Sequence, residues 1–175
     1  YAASIGKSSL EDWEKPLMRD ALNRYSHISV REAEAAELLN SIGVHGAVPV
    51  IDPTLMLNRD DWSVLRDDSV LPAEPYILVY QLNKNHEFDQ YVQRFADKTG
   101  LPVYRIAYGV HEKRKGEHAI ICPTVGGFVS LFMNAEYVIT DSFHGTAFSM
   151  NLERKFVAIS PGRFSGRIMN LLEMT

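Results

Sequence analysis

The sequence predicts an α/β protein built on Rossmann-like parallel sheets, and three observations carry that prediction. Short apolar runs alternate with longer amphipathic stretches along nearly the whole chain. Strands and helices in alternation imply parallel sheets covered on both faces. The run at 76–80 is continuously apolar, as strands buried on both faces are, and 103–107 and 137–140 read as further strands. Between them and an earlier alternation lies a stretch with acidic pairs, Pro72 and Pro75 and little periodicity, which divides the chain in two.

Each element follows from its own pattern. Residues 1–5 read as a strand and 10–25 as a helix with Trp13, Leu17, Met18, Ala21 and Leu22 on one face. Residues 27–30 form a short strand, and the Glu- and Ala-rich run 31–41 a helix closed by Gly43. A strand at 48–51 ends at Asp52-Pro53. After the aperiodic stretch come a strand at 76–80, a helix at 87–98 ended by Gly100, and a strand at 103–107. A polar loop at 111–118 precedes a helix at 127–134. Strands at 137–140 and 156–159 flank a helix at 145–152, and the end of the chain reads as an amphipathic helix cut short. The resulting division is 1–57 as the end of a first α/β domain, 58–75 as a linker, and 76–175 as a Rossmann-like, donor-binding domain truncated at its end. The chain reads as an internal piece of a longer protein.

Composition narrows the function. With 46% hydrophobic and 23% charged residues, the chain is of ordinary globular type. A net charge of −4 argues against neutralising a nucleic-acid backbone. No apolar run approaches the roughly 20 residues of a membrane-spanning helix. Cys122 is the lone cysteine, which fits a reducing cytoplasm, with at most a peripheral place at the inner face of the membrane. His111, His118 and Cys122 match no zinc spacing, so no metal is expected. There is no dinucleotide fingerprint, phosphate-binding P-loop or nucleophile elbow, and no cofactor is called for.

Two polar clusters stand where strands end. In Thr140-Asp141-Ser142-Phe143-His144-Gly145-Thr146 a buried strand runs into a helix start, whose backbone amides and dipole suit an anion. Ser142, Gly145 and Thr146 are small enough to let a ligand near the backbone. His144 is a candidate acid/base near neutral pH, and Asp141 a candidate orienter of its ring. The bland alternative is a helix cap with a buried packing histidine. In His27-Ile28-Ser29-Val30-Arg31-Glu32, Arg31 offers a planar fork for carboxylate or phosphate, and Ser29 lies beside it. Its bland alternative is an ion pair of Arg31 with Glu34. Gln81, after a buried strand, and Arg163 and Arg167, flanking Gly166, are further candidates for substrate contact. Pro123-Thr124-Val125-Gly126-Gly127 precedes a helix and offers backbone amides, but a lone Gly pair is more often a turn, and it is read as one.

Ser29-Val30-Arg31-Glu32, Val50-Ile51-Asp52-Pro53-Thr54-Leu55 and Asp141-Ser142-Phe143-His144-Gly145-Thr146 resemble, in order and spacing, the polysaccharide pyruvyl transferase family. The likeness covers nearly all of the chain. It implies a two-domain fold like the GT-B glycosyltransferases and essential roles for His144 and Arg31. It also implies phosphoenolpyruvate as donor substrate and a sugar or oligosaccharide, free or lipid-linked, as acceptor of a pyruvate ketal. Three rivals stay open on sequence: a GT-B glycosyltransferase, a sugar-nucleotide epimerase, and a non-catalytic relative of the same fold. Retaining glycosyltransferases often carry two Glu seven positions apart in this region, and Glu153 has no such partner.

Overall fold

The structure, a computed structural model, describes residues 1–7, 9–160 and 165–173. The chain divides into two compact units, Tyr1–Met56 with Met169–Thr175, and Leu57–Ile168. Among the described residues no helix is long and apolar enough to cross a membrane.

In the first unit, helix α1 (Glu14–Leu22) precedes strand β1 (Ser29–Val30), helix α2 (Ala33–Ser41) and strand β2 (Val48–Pro49). The strands pair in parallel, Ser29 opposite Val48. The strand expected at 1–5 is reduced to a bridge between Ala3 and Val30. Val30, Ala35, Leu39 and Val44 form a small core, with Ile5, Met18 and Leu22 against it. The predicted inward face of α1 is only partly covered: Trp13 and Leu17 are 68% and 63% exposed. Two short strands and a bridge are too narrow to cover all of it.

The second unit opens with the segment expected as a linker. Residues 58–75 are instead packed structure. Asn58 caps α3 (Arg59–Ser63) in a reciprocal capping box with Asp61, and Asp67 caps a 3₁₀ turn at Asp68–Val70. Trp62 meets the ring of Phe148 edge-on at 4.9 Å, and Ser130 Oγ both accepts from the Asp67 amide and donates to Asp68. The acidic pairs suggest solvated chain; one member of each, Asp61 and Asp67, instead takes part in a cap.

The sheet consists of β3 (Ile77–Tyr80), β4 (Val103–Ala107), β5 (His118–Ile121), β6 (Tyr137–Thr140) and β7 (Lys155–Ala158), with helices α4 (His86–Thr99), α5 (Val125–Asn134) and α6 (Phe143–Asn151); the last helix of the chain is α7 (Ser165–Glu173). Its order is β5-β4-β3-β6-β7, every pair parallel. Strand β5 is an element that the sequence does not announce; it starts where the polar loop was expected to end. Alternate residues of the buried strands face opposite sides. Leu78, Tyr80 and Val138 pack with Phe132 of α5 and Phe148 of α6, whereas Ile77, Val79 and Ile139 pack with Phe88 and Val92 of α4. Helix α4 is well punctuated: Asn85 accepts from the Glu87 and Phe88 amides, and Gly100 closes it at φ +70°. The fold is α/β and Rossmann-like. The chain enters the sheet at its centre, works outward to β5, then crosses to β6. That reversal leaves a crevice at the carboxyl ends of β3 and β6, the place where such sheets bind ligands.

Candidate active site

The crevice is built by hydrogen bonds from β3 to β6. The Thr140 hydroxyl donates to the Tyr80 carbonyl at 2.6 Å and accepts from the Ser142 amide at 3.0 Å. Asp141, buried to 4% exposure, accepts from the amides of Leu82 (2.7 Å) and Asn83 (2.9 Å) and from Asn83 Nδ2 (3.0 Å). Both its oxygens hold the loop after β3, in place of the imidazole expected from sequence. Gln81, in the same loop, accepts from Arg105 and donates to the Asn83 carbonyl at 2.8 Å.

Helix α6 begins directly behind that clamp. Ser142 Oγ caps it, accepting from the Gly145 amide at 3.3 Å, and the Ser142 carbonyl takes the Thr146 amide at 2.9 Å and hydroxyl at 3.0 Å. Ser142, Gly145 and Thr146, expected at the ligand, are all buried and hold the turn itself. Gly145 is needed for contact: a Cβ there would lie 2.9 Å from Thr140 Cβ and closer still to its hydroxyl. The helix therefore rides on the end of its own strand. His144 differs from its neighbours in being exposed, which rules out the buried packing histidine. Its ring stands edge-on to Phe143 at 5.3 Å, and the Arg167 guanidinium lies over Phe143 at 5.6 Å. The helix start thus gathers an imidazole, a guanidinium and the positive end of a helix dipole. Arg163 lies outside the described residues.

The first unit carries the other cluster. Arg31 Nη1 donates to Asp52, 21 residues away in the Asp52-Pro53-Thr54 turn, and not to Glu34. The Arg31 side chain is 19% exposed, that of Asp52 2%. Burial pushes the Asp52 carboxyl up, but bonds from the Thr54 amide and hydroxyl and from Arg31 outweigh it and hold the carboxyl below its ordinary range. Two motifs that are separate in sequence are therefore one ion pair beyond adjacent parallel strands. Ser29 Oγ accepts from the Ala2 amide at 2.9 Å, so it ties the chain to itself.

Sequence reasoning misses a cluster beyond β3 and β4. Arg105, 3% exposed in the middle of an apolar strand, holds the Glu117 carboxylate through Nε and Nη2 and reaches Asp89 at 3.1 Å. Arg114 meets the other oxygen of Asp89 at 3.1 Å. The one available signal is a lone Arg inside an apolar run, which must find partners. Among the described residues no group of three His, Cys, Asp or Glu is placed to hold a metal ion.

No curated protein matches the chain. The family model described as polysaccharide pyruvyl transferase matches residues 1–163 of the 175-residue chain, which takes in the Arg31–Asp52 pair and the whole start of α6. The chain belongs to the polysaccharide pyruvyl transferase family.

Proposed function

We propose that the chain transfers pyruvate from phosphoenolpyruvate to a pair of hydroxyls on one sugar of a polysaccharide or its precursor. Both hydroxyl oxygens bond to the enol carbon, its bond to the phosphate oxygen breaks, and inorganic phosphate leaves. Carbon 3 gains one proton and the second hydroxyl proton departs with phosphate or to solvent. A group that both takes and gives protons near neutral pH is required. The observation that carries this reading is His144, exposed at the start of α6 beyond a central strand. Arg167 and the α6 dipole offer positive charge for the departing phosphate. Arg31, its fork fixed by Asp52, is proposed to bind donor charge. The lone Cys122 fits a reducing cytoplasm, where we place the reaction.

Phosphate release from phosphoenolpyruvate, followed across a panel of sugar acceptors, tests the proposal. Release that depends on one acceptor and is lost in Arg167→Ala and His144→Gln is expected. Tight binding of uridine- or guanosine-diphosphate sugars with none of phosphoenolpyruvate would assign the crevice to glycosyl transfer instead.

A further inference from the structure

A cavity of about 130 Å³ opens at the carboxyl ends of β3 and β4, walled by Asn83, Lys84, Arg105, Tyr108, Glu112 and Arg114. Three features define what it takes. Tyr108 is 58% exposed, yet its hydroxyl is held at 2.9 Å by that of Tyr80 and its amide at 3.1 Å by Glu112. An aromatic face that is both exposed and fixed at two points is a platform, not a loose surface side chain.

Arg105 supplies the second feature. Of the five N–H donors of a guanidinium, bonds to Glu117, Asp89 and Gln81 engage four. The remaining one, on Nη1, has no partner among the described residues of this buried side chain. A buried donor left over beside a cavity calls for an acceptor from outside.

Charge is the third feature. Lys84, Arg105 and Arg114 are balanced by Glu112 in the wall and by Asp89 and Glu117 behind it. With these formal charges cancelling, the site carries no excess of positive charge with which to favour a dianion. It does present donors, acceptors and an apolar ring face together, the set that a polyhydroxylated ring satisfies.

We propose that this cavity is a subsite for one uncharged hexose ring, seated on Tyr108 and hydrogen-bonded by Asn83, Arg105 and Glu112. That the hexose belongs to the acceptor rests on the pyruvyl-transfer reading above. The place suits that role. Asn83, in the cavity wall, donates twice to Asp141, which precedes His144 by three residues. The clamp that builds the crevice therefore also sets one wall of the subsite.

Saturation-transfer NMR on the chain with methyl glycosides of glucose, galactose and mannose tests this, with inorganic phosphate and phosphoenolpyruvate as separate probes. At least one glycoside should bind, at about millimolar Kd as a single ring does, and weaken about tenfold in Tyr108→Ala. Tyr108→Leu, which keeps bulk and removes the aromatic face, should act in the same direction if Tyr108→Ala fails to fold. Tyr108→Phe should retain most binding, and phosphoenolpyruvate should bind all variants alike. Absence of glycoside binding, affinity indifferent to both Tyr108 replacements, or displacement of the glycoside by inorganic phosphate would each overturn the subsite. If a glycoside binds through Tyr108 but phosphoenolpyruvate does not bind at all, the subsite stands and the pyruvyl-transfer reading falls.

Discussion

Helices α5 and α6 begin with the same local grammar and come to different ends. Each follows a parallel strand, each is capped by a hydroxyl (Thr124 or Ser142), and in each that hydroxyl accepts from the amide of a glycine three residues on, Gly127 or Gly145. The second helical position separates them. In α5 it is Gly126, where a Cβ would lie 3.0 Å from Asp67 Cβ and against the Leu65 carbonyl. Residues 65–67 therefore close over that helix start, and Asp67 takes the Thr124 hydroxyl at 3.0 Å. In α6 the same position is His144, exposed, with Phe143 and Arg167 beside it. A capped, glycine-bearing helix start is thus no site by itself. What makes the start of α6 the candidate is the side chain at the open position and what is left uncovered around it.

The largest expected effect breaks the pair at that position. His144→Gln keeps size and polarity but cannot shuttle protons near neutral pH. Turnover should fall by roughly two to four orders of magnitude, the usual range for one general acid/base group. Because His144 is exposed, the melting temperature should stay at the wild-type value. Steady-state kinetics and thermal unfolding on one preparation check both halves. Wild-type turnover with a wild-type melting curve would remove His144 from the chemistry.

Next in size are the glycines. Gly145→Ala drives a methyl group into Thr140, whose hydroxyl is fixed by Tyr80 and Ser142. Overpacking of this kind costs about 1–3 kcal/mol. It should also lower turnover, since the displaced turn carries His144. Gly126→Ala meets backbone at Leu65 and should cost a similar amount of stability, with turnover per folded molecule unchanged. Denaturant melts paired with kinetics separate the two; a Gly126→Ala chain with impaired turnover would tie α5 to the site.

Smaller again are the caps. Ser142→Ala and Thr124→Ala each remove one side-chain acceptor from a helix amide, worth about 1 kcal/mol. Only Ser142→Ala should shift the pH profile of turnover, because only that turn presents an imidazole. Equal pH profiles for the two variants would show that the cap does not position His144.

How much of this is legible in sequence follows from the range of each interaction. Strands β3, β4 and β6 are readable as short apolar-rich runs, β4 interrupted by Arg105, and α4 by its helical run and Gly100, since these signals lie within a few residues. Strand β5 is not, because an edge strand is only half covered, and His118 and Ile121 at its ends are exposed. Residues 58–75 read as linker because a capping Asp and a solvated Asp look alike until the amide it receives is known. His144 stands out locally, as the titratable group beside a strand end. Asp141 stands out too, but its role does not, because its partners Leu82 and Asn83 lie 59 and 58 residues away. Arg105 is hidden for the same reason, with Glu117, Asp89 and Gln81 at separations of 12, 16 and 24 residues.

The smallest expected effect is electrostatic and belongs to α5 alone. Asp67 receives the Ser69 hydroxyl and amide and the Thr124 hydroxyl, and these bonds hold its carboxyl below the ordinary value of 3.8. A carboxylate at a helix start is further favoured by the dipole. With its pKa depressed by folding, Asp67 contributes stability that is present above the unfolded-state value and lost as pH falls through the folded-state value. Helix α6 has no acidic residue in its first turn and carries no such dependence there. Other carboxylates titrate in the same window, Asp68 and Asp52 among them, so the wild-type acid melt alone is uninformative. The difference between wild type and Asp67→Asn isolates the effect: the gap in melting temperature should be open at neutral pH and close as pH drops below the ordinary carboxylate range. Ser142→Ala measured against wild type should show a gap that pH does not move over that window. A gap for Asp67→Asn that persists in acid would mean that Asp67 holds Thr124 and Ser69 as a neutral acceptor just as well. In that case residues 65–67 close over α5 by packing on Gly126 alone.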